Sequence, residues 1–203
     1  PNTWNMNINA VENVITSRTR AIMAVHIYGL PVDMDPLKKI AIKYGLYIIE
    51  DAAELIGATY KDRKCGSIGD ISTFSFYPNK QITTGEGGMV FTDDLQIKNR
   101  CKSLRNLCFQ EGNRFVHNEI GWNYRMTNLQ AALGIAQLEK LDKTIEKKIK
   151  IGRLYNKYLM EIKDIVLPLK KTDFAQNIYW VFGILINSDI ENAKSIMAKL
   201  KNL

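Results

Sequence analysis

Short apolar runs alternate with polar, turn-rich and helix-periodic stretches along the first half of the chain, and that alternation predicts a layered α/β arrangement. Residues 20–26 (RAIMAVH) form a run of strand length closed by Tyr28-Gly29-Leu30-Pro31, which predicts a buried strand ending in a turn. A helix is expected next, with Asp35 as the N-cap, Pro36 in the first turn and Gly45 as the stop. Residues 46–50 (LYIIE) predict a second buried strand, so strand, helix and strand succeed one another as in a unit of a parallel sheet. Residues 71–76 (ISTFSF) and the short run 88–92 predict two more strands, separated by a polar, glycine-rich stretch. Further on, 94–104 is expected to be helical and 105–122 irregular. Leu129, Leu133, Ala136 and Leu138 recur at helical spacing, and the helix is expected to run on through Tyr158. Pro168 closes that region, and 179–186 (YWVFGILI) predicts a fresh strand.

These elements imply an α/β fold with a mainly parallel sheet over residues 1–140, then a connecting helix and the beginning of a smaller domain over 141–203. The 203 residues, 46% hydrophobic and 24% charged, suit a globular protein. The opening PNTWN and the unfinished helical pattern at the end make a piece cut at both ends the expectation. A net charge of +7 would attract phosphates or nucleic acid, but the basic residues are spread out and concentrate in 140–150, a pattern typical of a solvated helix face. Aromatic and basic residues do not interleave, so nucleic-acid binding is not expected. Three cysteines without paired spacing indicate neither a disulfide framework nor a zinc site, and a reducing cytoplasm follows as the expected location. No apolar run approaches the roughly 18 residues of a membrane span.

Two places can carry chemistry. In S-F-Y-P-N-K-Q-I-T-T-G-E-G-G-M (75–89), Lys80 follows a strand and precedes glycines that allow close backbone approach. A desolvated lysine amine is a nucleophile that forms imines with carbonyl groups, whereas the plain alternative is a surface lysine in a loop. In I-I-E-D-A-A-E (48–54), Asp51 ends an apolar strand, where open α/β sheets bind ligands, and the small residues after it leave room for a flat ring. A carboxylate there could hold a pyridinium nitrogen protonated. The alternative is a capping box in which Asp51 caps a following helix and Glu54 completes it.

Four blocks, VHIYGLPVDMDPL (25–37), IIEDAAELIGATYKDRKCGSIGD (48–70), FSFYPNKQITTGEGGMVFTDD (74–94) and GWNYRMTNLQAALGIAQLEKLD (121–142), together resemble the DegT-type sugar-nucleotide aminotransferases. That family has the aspartate-aminotransferase fold, and the text is most similar to its perosamine-synthase branch. The resemblance implies a homodimeric, pyridoxal-phosphate-dependent enzyme that moves an amino group from glutamate to C4 of a nucleotide-linked 4-keto-6-deoxy sugar. It assigns Lys80 as the lysine that holds the cofactor covalently and moves the proton. It assigns Asp51 to the pyridine nitrogen, Glu54 to the phenolic oxygen, Ala53 to the ring face and Ser75 to the phosphate. Asn123 would reach that phosphate from the partner subunit. His26 and Tyr28 match the motif without a definite role beyond packing, and Arg125 is left between substrate contact and loop bracing. Family members also carry a Gly-Thr/Ser phosphate loop before the position of Pro1, which this sequence does not contain. Dehydratases of the family have histidine in place of the lysine, so Lys80 argues against them. A fold-retaining scaffold or regulatory protein and a plain nucleotide-binding module are the remaining alternatives.

Overall fold

A computed structural model of the chain describes residues 2–110, 112–187 and 191–202. Four strands form one sheet: β1 (Ala21–Val25), β2 (Tyr47–Asp51), β3 (Ile71–Ser75) and β4 (Gly88–Phe91), in that spatial order. β1, β2 and β3 are parallel and β4 returns antiparallel to β3, so the sheet is mainly parallel as the pattern predicts. The register places Val25 beside Asp51 and Asp51 beside Thr73, which brings the carboxyl ends of β1, β2 and β3 to one edge of the molecule.

The helix between β1 and β2, α1 (Met34–Tyr44), buries Met34, Leu37 and Ala41, three positions on one face. It ends at Gly45 with φ +61°, whose N–H bonds back to the carbonyls of Ala41 and Ile42, a left-handed cap that glycine reaches without steric cost. Its N-cap is Asp33, not Asp35 as expected. The Tyr60 hydroxyl decides this by linking the two acids. It donates to the Asp33 carboxylate at 2.6 Å and accepts the Asp35 N–H at 3.0 Å, so a residue 25 positions away performs the capping. The Asp35 carboxylate instead pairs with Lys61.

Ile22, Ala24, Ile48, Leu37, Leu55 and Tyr60 share one core with Ile145. Burial of a single leucine there contributes about 2–3 kcal/mol. β1 is buried on that side only, since Met23 and Val25 alternate outward, so it is not enclosed on both faces as the apolar run suggested. α2 (Leu95–Leu104) is capped by the Asp94 carboxylate, which accepts the N–H groups of Gln96 and Ile97. The predicted long helix is two: α3 (Asn128–Leu138), opened by a Thr127–Gln130 capping box, and α4 (Leu141–Leu159), with the break at Glu139 and Lys140. Ile145 of α4 packs into the core, so residues beyond 140 contribute to it.

Two further expectations are corrected. Residues 105–122 are not wholly irregular, because Phe109–Gln110 pairs with Asn113–His117 in a hairpin held by contacts of Phe109 with Phe115 and His117. Residues 179–186 are not a strand throughout. Only Leu185–Ile186 pairs, antiparallel to Ile165–Val166, while Tyr179 turns to φ +51° and stacks on Phe182. α5 (Ala193–Lys201) lies near the end of the chain. Among the described residues no helix is long and apolar enough to cross a membrane.

Candidate active site

The carboxyl end of β2 carries two acids on opposite faces of the sheet, as the two-residue period of a strand requires. Glu50 points into the core and is fully buried. One of its oxygens accepts the N–H groups of Ile68 at 2.7 Å and Gly69 at 2.6 Å. The other accepts Gly66 N–H at 2.8 Å and faces His26 Nε2 at 3.2 Å. Because His26 Nδ1 accepts the Val32 N–H, Nε2 carries the ring proton and donates it to Glu50. Burial pushes the Glu50 carboxyl up, yet His26 and the three N–H groups outweigh it and hold the group below its usual range. This ionised, four-bonded carboxylate ties the end of β1 and the 66–69 turn to the residue that precedes Asp51.

Asp51 and Glu54 occupy the other side, both half-buried. No helix follows them: residues 52–70 form turns and a small hairpin, Thr59–Tyr60 with Arg63–Lys64, so the capping-box alternative does not hold. Among the described residues Asp51 accepts only the Ala53 N–H, at 3.1 Å, in a local turn, and Ala53 is half-buried. Glu54 accepts the N–H of Tyr28 at 2.6 Å. Its carboxyl is pushed up, first by burial and to a smaller degree by the Asp51 charge, against the opposing pull of the Tyr28 N–H and Lys80.

Lys80 comes to the same place from the loop after β3, and it feels the charges of both Glu54 and Asp51. Burial lowers its amine below the usual lysine range, more than those two carboxylates restore. Its Nζ lies 3.6 Å from the ring centre of Trp180, a residue that the sequence reading does not single out. Gln81, next to it, is buried and donates to the Glu54 carbonyl at 3.2 Å, while its own side-chain oxygen has no partner among the described residues. No local signal marks Trp180, since its contact spans about half the chain. Glu50 does have one: a charged residue at an inward strand position must be paired to be tolerated.

Ser75, the last residue of β3, accepts the Tyr77 N–H at 3.2 Å, and its own hydroxyl donates to no protein group among the described residues. Asn123 is exposed and held elsewhere: its backbone pairs with Asn106 and its side-chain oxygen accepts from Arg125 Nε at 3.2 Å. Arg125 thus braces the Asn123 turn. His26 is a buried hydrogen-bonding residue, and Tyr28, at φ +57°, is a turn residue packed between Trp4 and Trp180.

Taken together, a partly buried amine of lowered basicity feels the charge of two carboxylates at the end of β2, and Ser75 ends the neighbouring strand β3. A desolvated amine can condense with a carbonyl group, and the carboxylates beside it can pair with a basic nitrogen. Comparison with known proteins points the same way. The chain is 44% identical to the GDP-perosamine synthase of Escherichia coli O157:H7 over 183 residues, covering 90% of this chain and 50% of that protein. It is 40% identical to the GDP-perosamine synthase of Vibrio cholerae over 201 residues, covering 97% and 53%. The structure of DesV from S. venezuelae superposes with a TM-score of 0.87 at 33% identity, covering 98% of this chain and 53% of that one. The chain therefore spans about half the length of the curated relatives it matches. The model of the DegT/DnrJ/EryC1/StrS aminotransferase family matches residues 1–203, and the chain belongs to that family.

Proposed function

We propose that this chain carries the reactive lysine and cofactor-holding acids of a pyridoxal-phosphate-dependent sugar-nucleotide aminotransferase. The family is pyridoxal-phosphate-dependent. The observation that carries the reading is the Lys80 amine, partly buried, 3.6 Å from the Trp180 ring centre and under the charge of the Asp51 and Glu54 carboxylates. In this reading Asp51 pairs with the ring nitrogen, Glu54 hydrogen-bonds the phenolic oxygen and Ala53 packs on the ring face. Ser75 donates to the phosphate, and Asn123 reaches the same phosphate from the partner subunit of a homodimer. Residues 1–140 form the cofactor-binding part, and 141–203 supply a connecting helix and the start of a second domain.

When bound, pyridoxal phosphate supplies a carbonyl for amines to condense with and a ring that accepts electron density from the bond being broken. The protein's part is to bind, orient and move protons. Lys80 would hold the group through its amine, and the same amine, when free, would take a proton from the α-carbon of the amino donor and, in its protonated form, give one to the carbonyl carbon of the sugar. A lowered amine basicity keeps more of the lysine neutral, the form that attacks a carbonyl and accepts a proton, and leaves the protonated amine a better proton donor. The acceptor in this reading is a nucleotide-linked 4-keto-6-deoxy sugar, supported by identities of 44% and 40% to two GDP-perosamine synthases. The expected location is the cytoplasm.

The test is an absorbance spectrum of the purified protein after addition of pyridoxal phosphate, then borohydride reduction and mass mapping. The cofactor should map to Lys80, and Lys80→Ala should erase the bound absorbance band. If the full-length protein takes up none, the aminotransferase reading falls and a fold-retaining scaffold takes its place.

A further inference from the structure

Trp180 has been given no role of its own so far, yet three segments of the chain hold its seat. Its indole Nε1 donates to the carbonyl of Asn79, the residue before Lys80, at 3.1 Å. Its own carbonyl accepts from Lys148 Nζ of α4 at 3.0 Å. The flanking segment rests on the turn after β1: Ile178 N–H bonds to the Gly29 carbonyl at 3.0 Å, and the Tyr28 ring centre lies 6.3 Å from that of Trp180. Gly29 is obligatory there, since it has φ +99° and a Cβ would lie 2.7 Å from the Trp180 nitrogen. Three separate parts of the chain thus fix the indole plane over the lysine amine, 3.6 Å from Nζ.

We propose that Trp180 is a positioning residue for Lys80: its ring face holds the lysine amine at the Asp51–Glu54 site and must release it when the amine engages a carbonyl compound. The reasoning rests on the proposed function only for what the amine engages. An indole face attracts an ammonium group and excludes water from it. The first effect favours the charged amine, and the second, like any desolvation, favours the neutral one. The other charged or titratable groups around this amine are Asp51 and Glu54 from the β2 end, Tyr28 from the β1 turn, and Lys148, which holds the Trp180 carbonyl from behind. Replacing the indole by a smaller apolar side chain removes the π face and leaves an apolar neighbour beside the amine, so where the lost attraction outweighs the lost cover Lys80 tilts toward the neutral form. A replacement that keeps the π face should not do so.

Trace acetylation with acetic anhydride, mapped by mass to the Lys80 peptide across neutral to alkaline pH, reads the neutral fraction without any cofactor. Trp180→Leu is expected to raise Lys80 labelling about three- to tenfold near pH 8, the span of a cation–π contact, while Trp180→Phe follows the wild-type profile. In the wild-type protein tryptophan fluorescence should titrate together with the Lys80 amine, and Lys80→Met should remove that titration, which keeps the idea testable if the leucine variant fails to fold. Superimposable profiles for wild type and Trp180→Leu, or a fluorescence titration unchanged in Lys80→Met, would overturn it. Borohydride trapping of pyridoxal phosphate in the same samples separates the two claims. Trapping at Lys80 with unchanged profiles removes the role of Trp180 alone, and shifted profiles without trapping remove the cofactor reading alone.

Discussion

Replacing Glu50 by glutamine changes one atom and should cost a large share of the protein's stability. The carboxylate accepts four hydrogen bonds, two at each oxygen, and every partner is a donor. A glutamine amide can keep one oxygen toward Ile68 and Gly69, but its NH2 then faces the Gly66 N–H and the His26 Nε2–H. His26 cannot answer by moving its ring proton to Nδ1, because that nitrogen accepts the Val32 N–H. Two buried donors are thus left unsatisfied, at about 1–3 kcal/mol each, so the expected loss is about 2–6 kcal/mol. Against a total of about 5–15 kcal/mol for a typical domain, that is visible in a urea unfolding curve followed by circular dichroism. The pH dependence gives a second handle. Glu50 sits below its usual value of 4.5 in the fold, so its contribution is complete above about pH 4.5 and is lost as the pH falls through the folded value. The gap between wild type and Glu50→Gln should therefore be constant near neutrality and narrow in acid. A variant within about 0.5 kcal/mol of wild type at neutral pH, or a gap that does not narrow, would refute the account, since surface substitutions typically stay within that range.

Other expectations follow from single contacts. Gly29→Ala places a Cβ 2.7 Å from the backbone nitrogen of Trp180 at a positive φ; the protein should lose more than about 1 kcal/mol in thermal unfolding, and wild-type stability would show that the turn can shift freely. Cys65 is 5% exposed and its thiol is pushed up to about 12 by burial and the nearby Glu50 charge. Iodoacetamide near pH 8 should label the half-exposed Cys101 in the native protein and Cys65 only after denaturation, because the thiolate is the reacting form. Equal native labelling of both would contradict the burial described.

The strand–helix–strand unit was legible because its signals are local: apolar runs of strand length, a glycine at the helix end, and an acid where a strand stops. The N-cap of α1 was misplaced by two residues because Asp33 and Asp35 are both competent, and the choice between them is made by Tyr60 from another part of the chain. The run at 179–186 has strand composition, but its aromatics are spent on Tyr28, Tyr155 and Tyr179 rather than on a sheet face. The hairpin at 109–117 was hidden by its polarity, every residue of its longer strand being exposed. For the candidate site, the motifs marked Lys80, Asp51 and Glu54, which the fold brings together. What the motifs could not supply is the cover over the amine, since hydrogen bonding between Asn79 and Trp180 joins residues 101 positions apart.

That separation has a consequence in time. A ribosome adding about 5–20 residues per second needs about 5–20 s to travel from Asn79 to Trp180. Throughout that interval the nascent chain already holds the lysine and both acids, but not the indole that shields the amine. The lysine is made as an ordinary solvated side chain and acquires its distinct character only when the later segment docks on the Tyr28–Gly29 turn. Its cover is therefore completed by the docking of a distant segment, not by the synthesis of the motif that contains it.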